Sequence, residues 1–430
     1  MDSTFRIALR NLFRQKARYR VLAIAIAFGC AIITVVYGAL GGMRQSLENK
    51  AKIYYGGDFS ILGNRYNQDY LIYQPEDMMA TLEALPGHPV QVSPRIDYRS
   101  NVFLSFGGNS VHLRMATGIS WDREERNFRS FNYVAGGPDG MKGSNGILIS
   151  APVAKMLGAR VGDDMLLLID TVTGQRNTAT VVLRGIYRDS SMFGYFTSYM
   201  DIDYLRQAIR GLPGSATYIG GYYQGAGRLR YPIPKIQAAL EKNFQMFPLA
   251  STKSEMFSMK GSERWTGVKY SLMGLDAHIA QINQVVQVMT LLLLALAVLL
   301  VSTVILGVVN TYRVVVYERT REIGTMRAIG MQRPVVVRLF LIEAGLLAMA
   351  SSLVGVAAGI GLLSLLSTIN FSWLPGFDVF LANGRIAWSM APSQILSVAF
   401  IMLIAALLAA SGPAARAAAI EPVQACSMES

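Results

Sequence analysis

Charged residues are scarce in this chain. Of its 430 residues only 16% are charged, while 52% are hydrophobic. A soluble domain usually has about a quarter of its residues charged, so this composition indicates a membrane protein. The net charge is +12, but the basic residues flank apolar runs, and no basic stripe alternates with stacking aromatics. We therefore expect contacts with membrane lipid and no binding of nucleic acid.

Residues and motifs that carry chemistry are also few. The two cysteines, Cys30 and Cys426, both lie outside the long polar segment after the first apolar run, so that segment folds without disulfides. His88, His112 and His278 are scattered and lack metal-ligand spacing. The sequence has no G-x-S-x-G or H-E-x-x-H motif and no G-x-x-x-x-G-K-[ST] phosphate loop. We expect no metal site, no nucleotide hydrolysis and no enzyme activity in this chain.

Four apolar runs are long enough to cross a hydrocarbon layer of about 30 Å. They are Val21–Leu40 and, approximately, Ile282–Val309, Val335–Leu366 and Gln394–Ala410. The first run exceeds the usual core of a signal peptide, and no small-x-small cleavage site follows it, so we interpret it as a retained anchor. Between the first two runs, β-prone stretches, helical stretches and turn residues predict a mixed α+β domain.

Basic residues beside the apolar runs predict the orientation in the membrane. Six precede the first run, five lie between the second and third with Arg338 just inside the third, and the loop between the third and fourth has only Arg385. Both termini and the 312–334 connector are therefore expected in the cytoplasm. The segment from about Met43 to His278 is expected outside the inner membrane.

The N-terminal residues predict a helix with two different faces. Arg6, Arg10 and Arg14 fall on one face, and the other carries Phe5, Leu9, Leu12 and Phe13. This pattern favours an amphipathic helix along the inner headgroup layer. A basic flank without that role is the alternative.

The sequence thus predicts an α-helical membrane protein with four transmembrane helices and a large extracytoplasmic α+β domain inserted between helices 1 and 2. Its ends, "RQSLENKAKIYY" and "GVKYSLMGLDAHIAQINQ", are expected to extend the first two spans as helical stalks. The predicted segments are a cytoplasmic amphipathic helix (1–19), transmembrane helices (20–42, 282–311, 335–368, 393–412), a periplasmic domain with stalk ends (43–281), the cytoplasmic connector (312–334), a periplasmic loop (369–392) and a cytoplasmic tail (413–430).

The connector holds a dense cluster of charged residues. A helix from Glu318 to Gly330 would place Ile323, Met326 and Ile329 or Gly330 on a narrow apolar ridge with charges around it. A ridge of this kind suits docking into a groove on another protein, with the charges selecting the partner. A solvated loop that only sets topology is the alternative, and it would not require the ridge.

The segment "YERTREIGTMRAIGMQRPVVVRLFLIEAG" resembles the signature of the FtsX-like permease family, the MacB-type or type VII ABC transporter permeases. The family pattern E-R-x-x-E-I-G-x-x-R-A-x-G, followed by F-L-x-E-A, is matched by Glu318, Arg319, Glu322, Ile323, Gly324, Arg327, Ala328, Gly330, Phe340, Leu341, Glu343 and Ala344. The basic start "ALRNLFRQKAR" and the order of spans also fit this family, and the external part resembles it more loosely.

The resemblance implies a mechanical role. Such permeases form pairs, as homodimers or heterodimers, on two copies of a separate ATPase that binds ATP and Mg, so no cofactor is expected in this chain. ATP-driven closure of the ATPases would move the spans and then the external stalks. The implied ATPase-coupling helix comprises Glu318, Arg319, Arg321, Glu322, Ile323, Gly324, Met326, Arg327, Ala328 and Gly330.

Two features of the third span have alternative interpretations. An unpaired Glu343 would cost about 2.5–3.5 kcal/mol at mid-bilayer, so an arginine such as Arg338 or Arg327 is expected to pair with it. A buried structural pair is favoured over a proton or ion pathway. Gly355 and Gly359 permit close helix packing, either between two permeases or within one chain.

Within the family, the external stretches look most like the lipoprotein-releasing, LolC/LolE-like branch. That resemblance implies release of lipoproteins from the inner membrane to a periplasmic carrier. Its candidate cargo cavity is lined by Ile33, Val36, Tyr37, Leu40, Met43, Met273 and Ile282, although each of these residues alone suits a lipid-facing or packed position. Tripartite efflux of antibiotics or peptides through an adaptor, and a non-transporting relay to a cell-wall hydrolase, are the alternatives.

Overall fold

The computed structural model describes residues 3–14, 16–66, 75–85, 90–189, 191, 193–223, 232–262, 264–371, 373 and 380–419. The predicted cytoplasmic tail lies outside the described residues from position 420 onward, as do Cys426 and His88. The chain divides into two compact units. We call Met1–Met43, Gln287–Asn370 and Ile386–Ser430 the helical unit, and Arg44–Val286 with Phe371–Arg385 the sheet unit.

The described helices are α1 (Ser3–Arg14), α2 (Lys16–Tyr55), α3 (Pro75–Glu83), α4 (Trp121–Arg129), α5 (Ala151–Leu157), α6 (Ile202–Ala208), α7 (Ile233–Leu240), α8 (Lys253–Ser262), α9 (Leu275–His278), α10 (Ala280–Glu318), α11 (Thr320–Ala328), α12 (Arg333–Leu366) and α13 (Pro392–Ala419). The described strands are β1 (Phe59–Arg65), β2 (Val90–Tyr98), β3 (Val102–Phe106), β4 (Asn109–Leu113), β5 (Met115–Ile119), β6 (Tyr133–Gly136), β7 (Gly146–Ser150), β8 (Asp164–Asp170), β9 (Arg176–Tyr187), β10 (Thr197–Asp201), β11 (Tyr218–Tyr223) and β12 (Val268–Gly274).

Four of these helices are long and apolar enough to cross a membrane, namely Tyr19–Tyr55 of α2 and the whole of α10, α12 and α13. In the part of the chain that the structure describes, the four predicted runs are therefore confirmed as candidate spanning helices. Helix α2 has 40 residues, and at 1.5 Å per residue it is about 60 Å long. A hydrocarbon layer is only about 30 Å thick, so a large part of α2 extends beyond it.

The helical unit buries one apolar cluster made by α2, α10, α11, α12 and α13. Tyr312 of α10 and Ala410 of α13 are fully buried in it. Helix α1 packs against α12 and buries Ala8 completely, while its Ile7 and Leu9 are exposed. The position of α1 in the headgroup layer stays a prediction, and the side chain of Phe13 lies outside the described residues.

The two glycines of the third span pack within this chain. A Cβ on Gly355 would meet the Ala27 carbonyl oxygen of α2 and lie 2.7 Å from the Cβ of Cys30. A Cβ on Gly359 would lie 2.8 Å from the Cβ of Thr34. The small residues therefore let α12 approach the backbone of α2, which is the intrachain alternative of the two that the sequence allowed.

The described strands of the sheet unit form one mixed sheet in the order β12-β1-β11-β2-β5-β10-β7-β9-β8-β3-β4, with β6 paired to β9. The pairs β5–β10 and β7–β9 are parallel, and the other pairs are antiparallel. One apolar core includes Ile61, Leu82 and Leu240, and a second includes Leu104, Val153 and Leu183. A sheet-rich region of mixed α+β content is thus confirmed.

One predicted stalk is wrong in part. The segment Val268–Gly274 was expected to begin a helix, but it forms β12 and pairs antiparallel with β1. The alternation of Tyr270 and Leu272 fits a strand with one face in an apolar core. The helical segment begins only at Leu275 and continues as α10 from Ala280. The other predicted stalk is helical throughout, because α2 continues to Tyr55.

A buried ion pair joins several elements of the sheet unit. Arg95 of β2 and Glu124 of α4 pair with both side chains fully buried, and Arg95 Nε lies 2.7 Å from Glu124 Oε1. Arg95 also donates to the hydroxyl groups of Tyr218 and Tyr222, and to the Ile53 carbonyl near the end of α2 at 2.7 Å. The network therefore satisfies this buried charge with several partners.

Candidate functional site

The connector is a bent helical element. Helix α10 runs to Glu318, Arg319 has φ −97° and ψ 11°, and α11 then covers Thr320–Ala328. The Arg319 amide donates to the Val315 carbonyl, so hydrogen bonding continues through the bend. Gly330 has φ +102°, in the region that favours glycine, and it separates α11 from α12. The expected single helix from Glu318 to Gly330 is therefore broken at both ends.

The predicted apolar ridge is also wrong. Ile323 is 1% exposed and packs into the core of the helical unit, whereas Ile329 is 87% exposed and Met326 is half-buried. Steps of three residues turn a helix by about 300°, so Ile323 and Ile329 differ by about 120° around the axis. Because Ile323 packs into this core, its side chain is not available for contact with another protein.

A different face of the connector is exposed. Arg321, Glu322, Thr325, Ala328 and Ile329 are all exposed, and they recur at the spacing of one helical face. We call these five residues the connector face. It mixes one basic group, one acidic group and one large apolar side chain, which suits protein recognition.

The opposite side of α11 faces the rest of the helical unit. Ile323 and Gly324 are buried there, and Arg327 Nη1 donates to the Ala418 carbonyl at the end of α13 at 2.9 Å. A cationic group at a helix C-terminus is favourable. Of the predicted coupling residues, Ile323, Gly324 and Arg327 therefore hold the connector in place.

Glu343 is the centre of a buried polar junction and is itself fully buried. Its Oε1 accepts from Asn11 Nδ2 of α1 at 2.8 Å, and its Oε2 accepts from the Tyr19 hydroxyl of α2 at 3.1 Å. Arg319 Nη1 lies 3.2 Å from both carboxylate oxygens. The free-energy cost of burying the charge of Glu343 is thus offset by an arginine and two neutral hydrogen-bond donors.

The partner of Glu343 differs from the expected ones. Arg338 is five residues away on the same helix, about 140° around its axis, and therefore on another side. Arg327 contacts the end of α13 instead. Arg319, which was predicted as a docking residue, turns inward with its side chain only 4% exposed. Asn11 and Tyr19 were not predicted, because no local pattern relates positions so distant in sequence.

The candidate cargo-cavity residues are divided between the two units. On α2, Ile33 is buried in the helical core, Tyr37 is exposed, and Val36, Leu40 and Met43 are half-buried. Met273 and Ile282 belong to the sheet unit.

Two of these residues are already packed against their own unit. Met273 lies on β12, is 1% exposed and packs with Met256 and Ala277, so its assignment to a cavity lining is wrong. Ile282 packs against a core that contains Leu47 and Tyr54.

The two described histidines each contact neighbouring side chains. His278 Nε2 lies 2.7 Å from Ser60 Oγ, and its ring stacks on Tyr55 with centroids 4.2 Å apart. Burial, with a smaller effect of Lys253, lowers the pKa of His278 to about 3, so it stays neutral at ordinary pH. His112 packs against Phe103. Among the described residues no group of three or more His, Cys, Asp or Glu side chains is placed to hold a metal ion.

Four candidate spans, a sheet-rich unit and a charged connector fixed at a buried carboxylate are the features of a multi-span membrane protein. Residues 294–422 match the family described as FtsX-like permease C-terminal, and this range contains the connector and Glu343. The C-terminal part of the chain is thus similar to FtsX-like permeases, and it is also similar to MacB-type ABC permeases.

Three comparisons illustrate this similarity. The macrolide export ATP-binding/permease protein MacB of Agrobacterium fabrum is 31% identical over 28% of this chain and 16% of its own length. The uncharacterized ABC transporter permease YknZ of Bacillus subtilis is 30% identical over 42% of each chain. This chain thus spans less than half the length of these relatives. A solved permease-protein domain from Porphyromonas gingivalis is 16% identical over 51% of this chain and 90% of that domain, with a TM-score of 0.29.

Proposed function

We propose that this chain is the permease subunit of an ABC transporter, driven by a separate ATPase subunit that binds ATP and Mg. The observation that carries the proposal is the two-sided connector. Its inner side is fixed to the helical unit through Ile323, Arg319 and Arg327, while Ile329 and Arg321 are exposed on its outer side. A surface that is rigidly attached to the spans yet free to contact a partner suits the transfer of force.

In this proposal the protein spans the cell inner membrane several times. Both termini and the connector are cytoplasmic, and the inserted domain of residues 43–281 is periplasmic. The support is the concentration of basic residues before α2 and between α10 and α12, compared with the single Arg385 between α12 and α13. The length of α2 supports a mechanical link, because its first part lies in the helical unit and Leu47, Ala51 and Tyr54 pack in the sheet unit.

The cargo that we propose first is a lipoprotein, which the transporter would release from the membrane to a periplasmic carrier. This choice rests on the resemblance of the external stretches to lipoprotein-releasing permeases. The exposed or half-buried α2 residues Val36, Tyr37, Leu40 and Met43 provide an apolar surface for acyl chains. A second copy of this chain, or a related permease, would complete the cavity.

Efflux of antibiotics or peptides through an adaptor is the second candidate. The observation in its favour is that the relative from Agrobacterium fabrum is named for macrolide export. A non-transporting relay to a cell-wall hydrolase is a third candidate and has less support, because such relatives carry smaller external domains than the 239 residues proposed here (43–281).

Capture of the tagged full chain from gently solubilised membranes distinguishes these functions. We expect mass spectrometry to identify an ABC ATPase together with triacylated lipoprotein. An ATPase with a periplasmic adaptor and an outer-membrane duct would instead support efflux. Recovery of the intact permease without any ATPase, under conditions where membrane complexes survive, would contradict the proposed function.

A further inference from the structure

Arg319 contacts a buried carboxylate and an exposed one at the same time. Its Nη1 lies 3.2 Å from both oxygens of Glu343, and its Nε lies 3.0 Å from Glu322 Oε2. The Glu343 side chain is 0% exposed and the Glu322 side chain 49% exposed. One guanidinium group therefore joins the connector face to the interior of the helical unit.

The interior end of this bridge joins further helices. Glu343 also accepts hydrogen bonds from Asn11 of α1 and Tyr19 of α2, and the Arg319 guanidinium lies 5.5 Å from the ring centre of Phe340. The three donors share two carboxylate oxygens, so a displacement of Arg319 changes the bonds that remain for Asn11 and Tyr19. Hydrogen bonds in such a buried network depend on one another.

We propose that Arg319 is a positioning residue that transmits contacts at Glu322 to the Glu343 junction, and through it to α1, α2 and α12. A cationic side chain of a partner that docks on the connector face would compete with Arg319 for Glu322. Arg319 would then move toward Glu343 alone and shift the connector relative to the spans. The partner in this step is the ATPase of the proposed function, and the inference rests on that function only for the identity of the partner.

Arginine is suited to this role and lysine is not. Arg319 uses two different nitrogens, Nε toward Glu322 and Nη1 toward Glu343. Lysine carries its charge on a single nitrogen. The variant Arg319→Lys therefore keeps a positive charge beside the buried Glu343 but loses the two-sided contact.

The first readout uses the permease alone. A spin label at Ile329→Cys, with Cys30 and Cys426 replaced by alanine, reports the mobility of the connector in lipid nanodiscs. We expect Arg319→Lys and Glu322→Gln each to increase this mobility, and the double variant to match either single one because both remove the same bridge. The substitution Arg313→Lys, at an exposed position of α10 outside the connector face, is the matched control and should leave the mobility unchanged.

The second readout is ATPase stimulation by the same variants in the assembled complex. We expect Arg319→Lys to lower the stimulation about fivefold or more, within the range of typical coupling between sites, while binding of the ATPase and thermal stability stay near those of the wild type. Unchanged label mobility in Arg319→Lys would overturn the positioning role. The role would also be overturned if ATPase stimulation fell only in proportion to the amount of folded protein that is lost. If the wild-type chain stimulates no ATPase, the proposed function fails, and label mobility alone decides whether Arg319 positions the connector.

Discussion

Replacement of Gly355 by leucine is expected to prevent α12 from packing against α2. The new Cβ alone would meet the Ala27 carbonyl oxygen and lie 2.7 Å from the Cys30 Cβ, so one of the two helix backbones would have to shift. Extra atoms forced into a packed core usually lower the free energy of unfolding by about 1–3 kcal/mol. Because the new side chain would meet helix backbone, we expect a loss at the upper end of this range or above it. We expect a large loss of folded protein in thermal unfolding followed by size-exclusion chromatography in detergent.

The same helix provides the control for this prediction. Gly361 is exposed, and a Cβ built there meets nothing within 4 Å, so Gly361→Leu should unfold at nearly the wild-type temperature. Equal stability of the two leucine variants would contradict intrachain packing of α12 on α2 through Gly355. It would instead favour a role for Gly355 between two permease chains.

The second large effect is expected in the sheet unit, from Glu124→Leu. This change leaves Arg95 fully buried without its carboxylate, and removal of one partner of a buried ion pair costs about 3–5 kcal/mol. The variant should become sensitive to limited proteolysis within residues 44–286 of the full chain, at temperatures where the wild type resists.

Two further variants separate the buried charge from other effects. Glu125 is next in sequence, and its pair with Arg129 is exposed, so Glu125→Leu should leave the resistance to proteolysis nearly unchanged. The double variant Arg95→Met with Glu124→Leu should recover part of the lost stability, because no unpaired charge remains. A double variant less stable than Glu124→Leu would show that the Arg95 contacts with Tyr218, Tyr222 and Ile53 contribute more than the ion pair.

Local patterns in the sequence were sufficient for the spanning helices. Long apolar runs predict them because each helix satisfies its own backbone in lipid, whatever its neighbours are. The strand β12 shows the limit of such patterns. Its residues are compatible with a helical stalk, but the segment forms a strand because it pairs with β1. Strand formation depends on a partner that lies more than 200 residues earlier in the chain.

The connector shows the same limit at the site. The charges, Gly330 and the family pattern located it, but the side of α11 that faces outward depends on where the core accepts Ile323. The partners of Glu343 come from α1, α2 and the bend at Arg319, and their separations in sequence are 332, 324 and 24 residues. The need of a buried carboxylate for a cation was predictable, whereas the identity of that cation required the packed helices.

The central claim is that the connector face receives the force of a separate ATPase. Its most direct test is the rate of ATP hydrolysis by the captured ATPase with the permease in nanodiscs, for the wild type and for the double variant Arg321→Glu with Ile329→Asp. Arg385→Glu, an exposed charge reversal between α12 and α13, is the control. We predict that the wild type and the control stimulate hydrolysis and that the double variant does not, although it folds normally. Wild-type stimulation by the double variant would contradict the account.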